Sequence, residues 1–214
     1  EEAEEVLARI AAGGDQIVYS SNRGGRNLAI WSMSAQGAPG ITQFTTGDTN
    51  DLWPSIDADA RPRLYYQAFV DTRPDSRLYM TQLGTTIRTD LTYIGGSRPR
   101  VSPKADAVLF TAVNSQTGNR DIYRMGDRGG EPQNITNTPD IDEFDPAWNR
   151  DGSRIVYAAD RSSDPETGKN LDIWMVDLAQ PERPVQITRN GSRADSPAYE
   201  PRTTSGNSQS NRGG

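Results

Sequence analysis

The chain has 214 residues, a formal net charge of -6 and 33% hydrophobic against 24% charged residues, enough for one sizeable core or two small ones. It contains no Cys and no His, which excludes thiol nucleophiles, Ser-His-Asp relays, thiolate zinc sites and imidazole bases. Its apolar runs are far shorter than the ~20 residues that span a bilayer, and its acidic balance argues against nucleic-acid binding.

The first predicted element is a short amphipathic helix or linker over residues 1–13. Glu residues fill its first turn, where the helix dipole favours negative charge, and Gly13 and Gly14 follow its last turn. A helix this short needs a surface to pack on, so we expect it to dock on the domain that follows. Its apolar face comprises Ala3, Val6, Leu7, Ile10 and Ala11.

A fourfold repeat organises the rest of the chain. Segments similar to QIVYSS at 16–21 recur with steps of 47, 44 and 47 residues between equivalent positions, and each is followed by a second strand-like segment with an aromatic residue at one register. A residue found at the same place in every repeat serves the repeat, so we assign these aromatic residues to packing between repeats. The equivalent first positions are Val18, Tyr65, Leu109 and Val156, and the aromatic residues are Trp31, Tyr79, Tyr123 and Trp174.

A third series of segments ends each unit with an apolar residue followed by Thr, as at Ile135 and Thr136, and a fourth series begins at a proline. Pro54, Pro99 and Pro146 each introduce a short apolar stretch ahead of the second, third and fourth repeats, and Pro197 introduces one more copy near the C-terminus. Units of about 40 to 50 residues with four short strands each are typical of β-propeller blades. The sequence therefore predicts an all-β propeller of four-stranded blades over residues 14–201.

The strand with which the first repeat begins, and the extra copy at the C-terminus, indicate how the ring closes. No proline-led strand was found ahead of the first repeat, and an unpaired copy stands at Pro197. We therefore expect the C-terminal strand to join the first blade and close a four-bladed ring, which removes an exposed sheet edge. An arc of a larger ring and a half-ring completed by a second copy remain alternatives. The polar segment 202–214 is predicted to be disordered.

The third and fourth repeats share a pattern of strand, turn and aromatic residues. Its members are Asp121, Ile122, Tyr123, Gly129, Gly130, Ile135, Thr136, Asp145, Pro146, Trp148, Asp151, Gly152, Ile155, Tyr157, Asp160 and Arg161. This pattern resembles the TolB-type propeller repeat family, and the resemblance covers some 185 residues, although the second repeat is degenerate. It implies an extracytoplasmic, hence periplasmic or extracellular, module that binds proteins and performs no catalysis.

The candidate site residues are those that break the repeat near the start of the proline-led strands. Trp53 stands before Pro54, where the other repeats have a charged or small polar residue, and it is a candidate anchor for a partner. In a propeller these loops converge on the axis, where clustered carboxylates would attract a hard cation or basic residues of a partner. Alternatively, the Asp residues cap turns. The charged candidates are Asp51, Arg98, Asp142, Glu143, Asp145 and Asp195.

The leading functional hypothesis is a non-catalytic scaffold for protein partners at the cell envelope. No catalytic residue and no cofactor is assigned, although the carboxylates leave room for a divalent cation. The alternative is a carbohydrate-active or peptidase-associated propeller that uses axial carboxylates and such a cation. The oligomeric state is left open by the sequence.

Overall fold

The computed structural model describes residues 4–11, 14–70, 76–160, 171–188, 194 and 197–198. Within these ranges the regular elements are strands, arranged in four antiparallel sheets of four. The described residues contain no helix long and apolar enough to cross a membrane. The first two sheets comprise β1 Glu5–Ile10, β2 Gln16–Ser21, β3 Ala29–Ser34, β4 Ile41–Gln43 and β5 Asn50–Ile56, β6 Arg63–Phe69, β7 Ser76–Gln82, β8 Arg88–Asp90. The other two comprise β9 Ser97–Val101, β10 Ala107–Val113, β11 Arg120–Gly126, β12 Gly129–Asn134 and β13 Glu143–Trp148, β14 Arg154–Ala159, β15 Asp172–Asp177, β16 Val185–Gln186.

Each sheet is a meander in which spatial order follows chain order, so we refer to the sheets as blades 1 to 4. The first strands of successive blades contact one another, β1 with β5, β5 with β9 and β9 with β13, and these inner strands surround the axis. The second strands of blades 2 and 3 are almost continuously apolar and buried, because neighbouring blades cover both their faces. The fourth strands β4 and β8 are short and exposed. The predicted all-β propeller of four-stranded blades is confirmed.

Within the described residues, three apolar cores hold the blades together, one between each blade and the next along the chain. Between blades 1 and 2, Val18 and Ile30 pack against Ile56 and Leu64. The other two cores repeat this arrangement between blades 2 and 3 and between blades 3 and 4. The described residues form no such core between blades 4 and 1.

The repeated aromatic residues pack as the sequence predicts in blades 2 to 4. Tyr79 belongs to the core between blades 1 and 2, Tyr123 to the core between blades 2 and 3, and Trp174 lies against the core between blades 3 and 4. Tyr123 also stacks on Phe110, with 5.7 Å between ring centroids. Trp31 occupies the same register in blade 1, where it is partly exposed and its Nε1 donates a hydrogen bond to the Ser21 carbonyl.

The predicted N-terminal helix is wrong, because the segment Glu5–Ile10 is the inner strand of blade 1. It pairs with β2 through a register shift between Val6 and Arg9, and the other three inner strands carry the same irregularity. This bulge breaks the alternation of a strand and leaves apolar residues at spacings that resemble a helix. Local preference of Glu, Ala and Leu for helix is a weak effect that tertiary pairing overrides.

The inner position of blade 1, which the sequence assigns to a C-terminal strand, is filled by the N-terminal strand β1. A strand has two edges, and β2 already pairs with β1 on one side and β3 on the other. The position expected for the copy at Pro197 is therefore occupied by the N-terminal segment. Residues 195, 196 and 199–214, with the tail predicted to be disordered, lie outside the described residues.

One face of blade 1 carries an uncovered apolar row. Ile10, Ile17, Met33 and Ile41 are cross-strand neighbours in that order across all four strands. In the following blades the matching row packs against the preceding blade: Met125, the counterpart of Met33, is only 3% exposed. Met33 is 40% exposed and Ile10 is 70% exposed. The described residues therefore leave this face open to solvent.

Candidate functional site around the axis

Each inner strand has one residue with a positive φ at the centre of its bulge. The φ values are 58° at Leu7, 55° at Trp53, 56° at Arg98 and 51° at Asp145. Residues other than glycine rarely adopt this backbone conformation, so the surrounding sheet must hold it in place. The fold thus presents one backbone position four times around the axis, and each blade supplies a chemically different side chain there.

Three of these side chains form a continuous chain of contacts across blades 2, 3 and 4. The Cζ atom of Arg98 lies 4.5 Å from the centroid of the Trp53 ring, within the range of a cation–π interaction. On its other side, Nη1 of Arg98 is 2.5 Å from Oδ1 of Asp145. The backbone N–H of Arg98 donates to Oε1 of Gln67 at 3.3 Å, which ties the bulge to blade 2. The structure therefore brings together Trp53, Arg98 and Asp145 among the predicted site residues.

Two further arginines that the sequence analysis did not select join this cluster. Arg9 of β1 and Arg100 of β9 each stand two residues after a bulge residue, and Cζ of Arg9 lies 5.7 Å from the Trp53 ring centroid. Arg9 was hidden by the helix assignment. Arg100 was detectable as the residue after Pro99, where the other proline-led strands have Ser55 and Ala147.

These two guanidinium groups have few internal acceptors. Nη1 of Arg9 donates to the Ala8 carbonyl at 3.2 Å, and Nη1 of Arg100 donates to the Pro99 carbonyl at 3.4 Å. Within the part of the chain that the structure describes, no carboxylate lies within ion-pair distance of either group. Both side chains are half-buried.

Burial and mutual repulsion destabilise the positive charges at the axis. Burial lowers the pKa of Arg9, with Asp145 acting in the opposite direction and Arg98 adding to the decrease. Burial likewise lowers the pKa of Arg100, which the neighbouring charge on Arg9 lowers further. Guanidinium groups nevertheless stay protonated near neutral pH. Among the described residues, Arg9, Arg98 and Arg100 thus share one neighbouring carboxylate, that of Asp145.

The predicted carboxylates Asp51 and Glu143 occupy equivalent positions just before the bulges and are buried. Oδ1 of Asp51 accepts a hydrogen bond from the Thr49 hydroxyl at 2.6 Å, and Oε1 of Glu143 accepts one from the Thr138 hydroxyl at 2.8 Å. Burial raises the pKa of Asp51, while hydrogen bonds from Thr45 and Thr49 lower it. These carboxylates brace the loops that lead into the inner strands.

Asp142 connects two blades, and Asp195 lies outside the described residues. Oδ1 of Asp142 accepts a hydrogen bond from the backbone N–H of Arg120 at 2.8 Å, and Oδ2 lies 3.6 Å from Nη1 of the same residue. Asn50 has the same role in blade 2, where it accepts from the N–H of Leu28 at 3.0 Å. The described residues include no group of three acidic side chains that could hold a metal ion.

Comparisons with known proteins place the fold but not the activity. No family model matches the chain, and no curated protein matches it in sequence. Among solved structures, TolB from Acinetobacter baumannii is 20% identical with a TM-score of 0.69, over 86% of this chain and 43% of that one. A putative TolB from Agrobacterium tumefaciens is 17% identical with a TM-score of 0.69, over 85% and 65%.

An enzyme shares the same architecture. An oligogalacturonate lyase from Vibrio parahaemolyticus is 12% identical with a TM-score of 0.60, over 84% of this chain and 52% of that one. The chain spans less than two thirds of the length of each of these proteins. At such identities the likeness establishes a common propeller fold alone.

Proposed function

We propose that the chain is a non-catalytic scaffold of the TolB-like propeller type that binds a protein partner at the cell envelope through the residues around its axis. One observation carries the proposal. A single backbone position, repeated in four blades, bears Leu7, Trp53, Arg98 and Asp145. Variation at one position of an otherwise repeated frame is what a recognition surface requires, because the frame supplies rigidity and the variable residues supply specificity.

The chemistry of the cluster favours binding over catalysis. Guanidinium groups do not exchange protons near neutral pH, so Arg9, Arg98 and Arg100 can hold a partner but are poor acids and bases. The carboxylate of Asp145 is paired with Arg98. Trp53 adds a large, rigid aromatic surface of the kind that dominates binding energy in protein interfaces.

The fold gives these residues a rigid support. Three apolar cores lock blade against blade, and the positive φ at Trp53 and Arg98 fixes where those side chains start. A preorganised surface loses little conformational entropy when a partner binds. The envelope location rests on the resemblance of the repeat to the TolB type and on the TolB structures that share the fold.

Partner capture with matched tryptophan variants tests the proposal. The purified full chain is immobilised, incubated with envelope extract of its source, and the retained proteins are identified and titrated by calorimetry. We expect Trp53→Ala to weaken capture by about tenfold or more, as for an interface anchor. Trp31→Ala, which removes the partly exposed tryptophan of strand β3, should leave capture unchanged. Equal capture by both variants and the parent would overturn the assignment of the axial face.

Cell fractionation tests the location separately. An epitope-tagged full-length gene product is expected outside the cytoplasm. Its recovery in the cytoplasmic fraction would contradict an envelope function, whatever the binding data show. Turnover of a polysaccharide by the purified chain would contradict the non-catalytic assignment.

A further inference from the structure

We propose that Arg9 and Arg98, which lie over Trp53, and Arg100, which lies on the same strand as Arg98, form a carboxylate-binding site that receives an acidic peptide segment of the partner. This inference rests on the proposed function and names the chemistry of the partner. It is the opposite of what the sequence favours, because the many carboxylates near the proline-led strands suggest a cation or a basic partner. Folding buries two of those carboxylates, Asp51 and Glu143, in local hydrogen bonds.

The first argument is the charge that remains. The guanidinium groups of Arg9 and Arg98 lie over the Trp53 ring, and Arg100 stands two residues after Arg98 on the same strand. Among the described residues, the carboxylate paired with this group is that of Asp145. A half-buried cation that lacks a nearby anion retains a desolvation cost that an incoming anion offsets. Arg9 and Arg100 are in this situation with respect to the described residues, and the lowered pKa of each reflects the same cost.

The second argument is that the site already holds a carboxylate of its own. Oδ1 of Asp145 lies 2.5 Å from Nη1 of Arg98, so the protein shows how a carboxyl group fits beside the arginine that stacks on Trp53. The planar fork of a guanidinium matches the two oxygens of a carboxylate. A ligand carboxylate can pair with Arg9 or Arg100 in the same manner, or replace Asp145 on Arg98.

The third argument concerns the kind of anion. The chain as a whole carries a net charge of -6, so a polyanion such as nucleic acid is repelled at long range. A short acidic peptide presents few charges at once and offers side chains that can lie on the Trp53 ring. The combination of local cations and an aromatic surface within an acidic protein thus favours an isolated acidic segment.

Titration with defined probes tests the site. The full chain is titrated with a short Glu-rich peptide and with its Gln counterpart. Binding is measured by calorimetry and by the change in tryptophan fluorescence, with Trp53→Phe showing which part of that change comes from Trp53. We expect saturable binding of the Glu peptide only. Arg9→Gln and Arg100→Gln should each weaken it about tenfold or more, as expected for a lost charged hydrogen bond. Arg128→Gln, which alters an exposed arginine outside the cluster, should not.

The Asp145→Asn variant tests whether the site binds an acidic or a basic partner. Removing the internal competitor frees Arg98, so the Glu peptide should bind more tightly, whereas a site for a basic partner would lose affinity. Thermal melting establishes that the variant is folded, and the Arg9 and Arg100 variants decide the question if it is not. A gain of affinity for a Lys-rich peptide, or no binding of the Glu peptide to the parent, would overturn the inference.

Two further probes separate the possible sources of an anion. Inorganic phosphate that competes as well as the Glu peptide would show a general anion site and overturn the peptide assignment. Tighter binding of oligogalacturonate would assign the carboxylates to a saccharide and overturn it as well. Partner capture that depends on Trp53 but not on Arg9 or Arg100 would remove this inference alone. Glu-peptide binding without any Trp53-dependent partner would instead remove the proposed function.

Discussion

The guanidinium of Arg98 stacks on the indole of Trp53 at 4.5 Å, although the two residues belong to neighbouring blades. Both occupy the bulge position of an inner strand, so the stack exists because the fold repeats that position around the axis. Arg9 lies 5.7 Å from the same ring. Trp53 therefore lies among the charges that the proposed ligand would contact, and the part of the tryptophan fluorescence that is lost in Trp53→Phe reports on the site.

Replacing Ala8 by proline tests the assignment of the N-terminal segment. Ala8 follows the bulge residue Leu7, and its counterparts are Pro54, Pro99 and Pro146. Because this backbone position accepts proline in three blades, we expect Ala8→Pro to leave the free energy of unfolding unchanged or to raise it by about 0.4–1 kcal/mol. Ala158→Pro, in β14 between its two paired neighbours Phe144 and Ile173, should be strongly destabilising. Chemical denaturation measures both.

The helix expected from sequence gives the opposite result for Ala8→Pro. Proline inside a helix costs about 3 kcal/mol. A loss of that size at Ala8, equal to the loss at the control position, would contradict the strand.

A matched pair of methionines tests the open face of blade 1. Met33 and Met125 share one register, but Met33 is 40% exposed and Met125 only 3%. Met125→Ala should lower the free energy of unfolding by about 2–5 kcal/mol, because it leaves a cavity between blades 2 and 3. Met33→Ala should change it by no more than about 0.5 kcal/mol. Comparable losses would mean that another surface covers this face in solution.

A second matched pair concerns Arg63, which bridges blades 2 and 3. Its Nε donates to Oδ2 of Asp57 at 2.7 Å and its Nη2 to the Ala105 carbonyl at 3.1 Å, while Nη1 contacts Asp127. Removing one partner of a buried ion pair costs about 3–5 kcal/mol, so Arg63→Gln should be severely destabilising. Denaturant unfolding at neutral pH measures the loss.

Arg154 is the control for Arg63, because it occupies the same register in blade 4 and makes an exposed pair with Asp177. Exposed ion pairs contribute about 0–1 kcal/mol, so Arg154→Gln should have little effect. If the two variants lose equal stability, the network around Arg63 does not join the blades as described.

The buried carboxyl group of Asp51 should make the stability of the fold decrease as the pH rises. Burial raises its pKa, so the folded chain binds this proton more tightly than the unfolded chain, and stability falls as the pH rises above about 3.9, the usual value for Asp. Asp51→Asn removes this ionisation while keeping an oxygen for Thr49. The stability of the variant relative to the parent should therefore increase from acidic to neutral pH in thermal melts.

Asp177 provides the opposite case. A hydrogen bond from the backbone N–H of Ala179 lowers its pKa, and Arg154 lowers it further. Its contribution to stability is present above the unfolded pKa and is lost as the pH falls through the folded one. Asp177→Asn should thus lose stability relative to the parent as the pH rises. The same slope for both variants would contradict the environment described for Asp51.

Much of the fold was accessible from sequence because each blade repeats the same local pattern. Val18, Tyr65, Leu109 and Val156 were identified as equivalent, and all four lie on second strands. The inner strand of blade 1 was missed because Ala8 replaces the proline that marks the other three. Its bulge also gives the apolar residues a spacing that local analysis assigns to a helix.

The amino-acid sequence by itself determined the number of repeats, the position at which the blades differ and the strands of each blade apart from the inner strand of blade 1, since these depend on local apolar periodicity and turn residues. Only the tertiary structure decided which charges remain at the axis. Folding buries Asp51 and Glu143 in hydrogen bonds and brings Arg9 and Arg98 to one indole ring, with Arg100 on the same strand as Arg98. Whether a site binds anions or cations depends on distances between charged residues far apart in the chain, and those distances are set by how the blades pack.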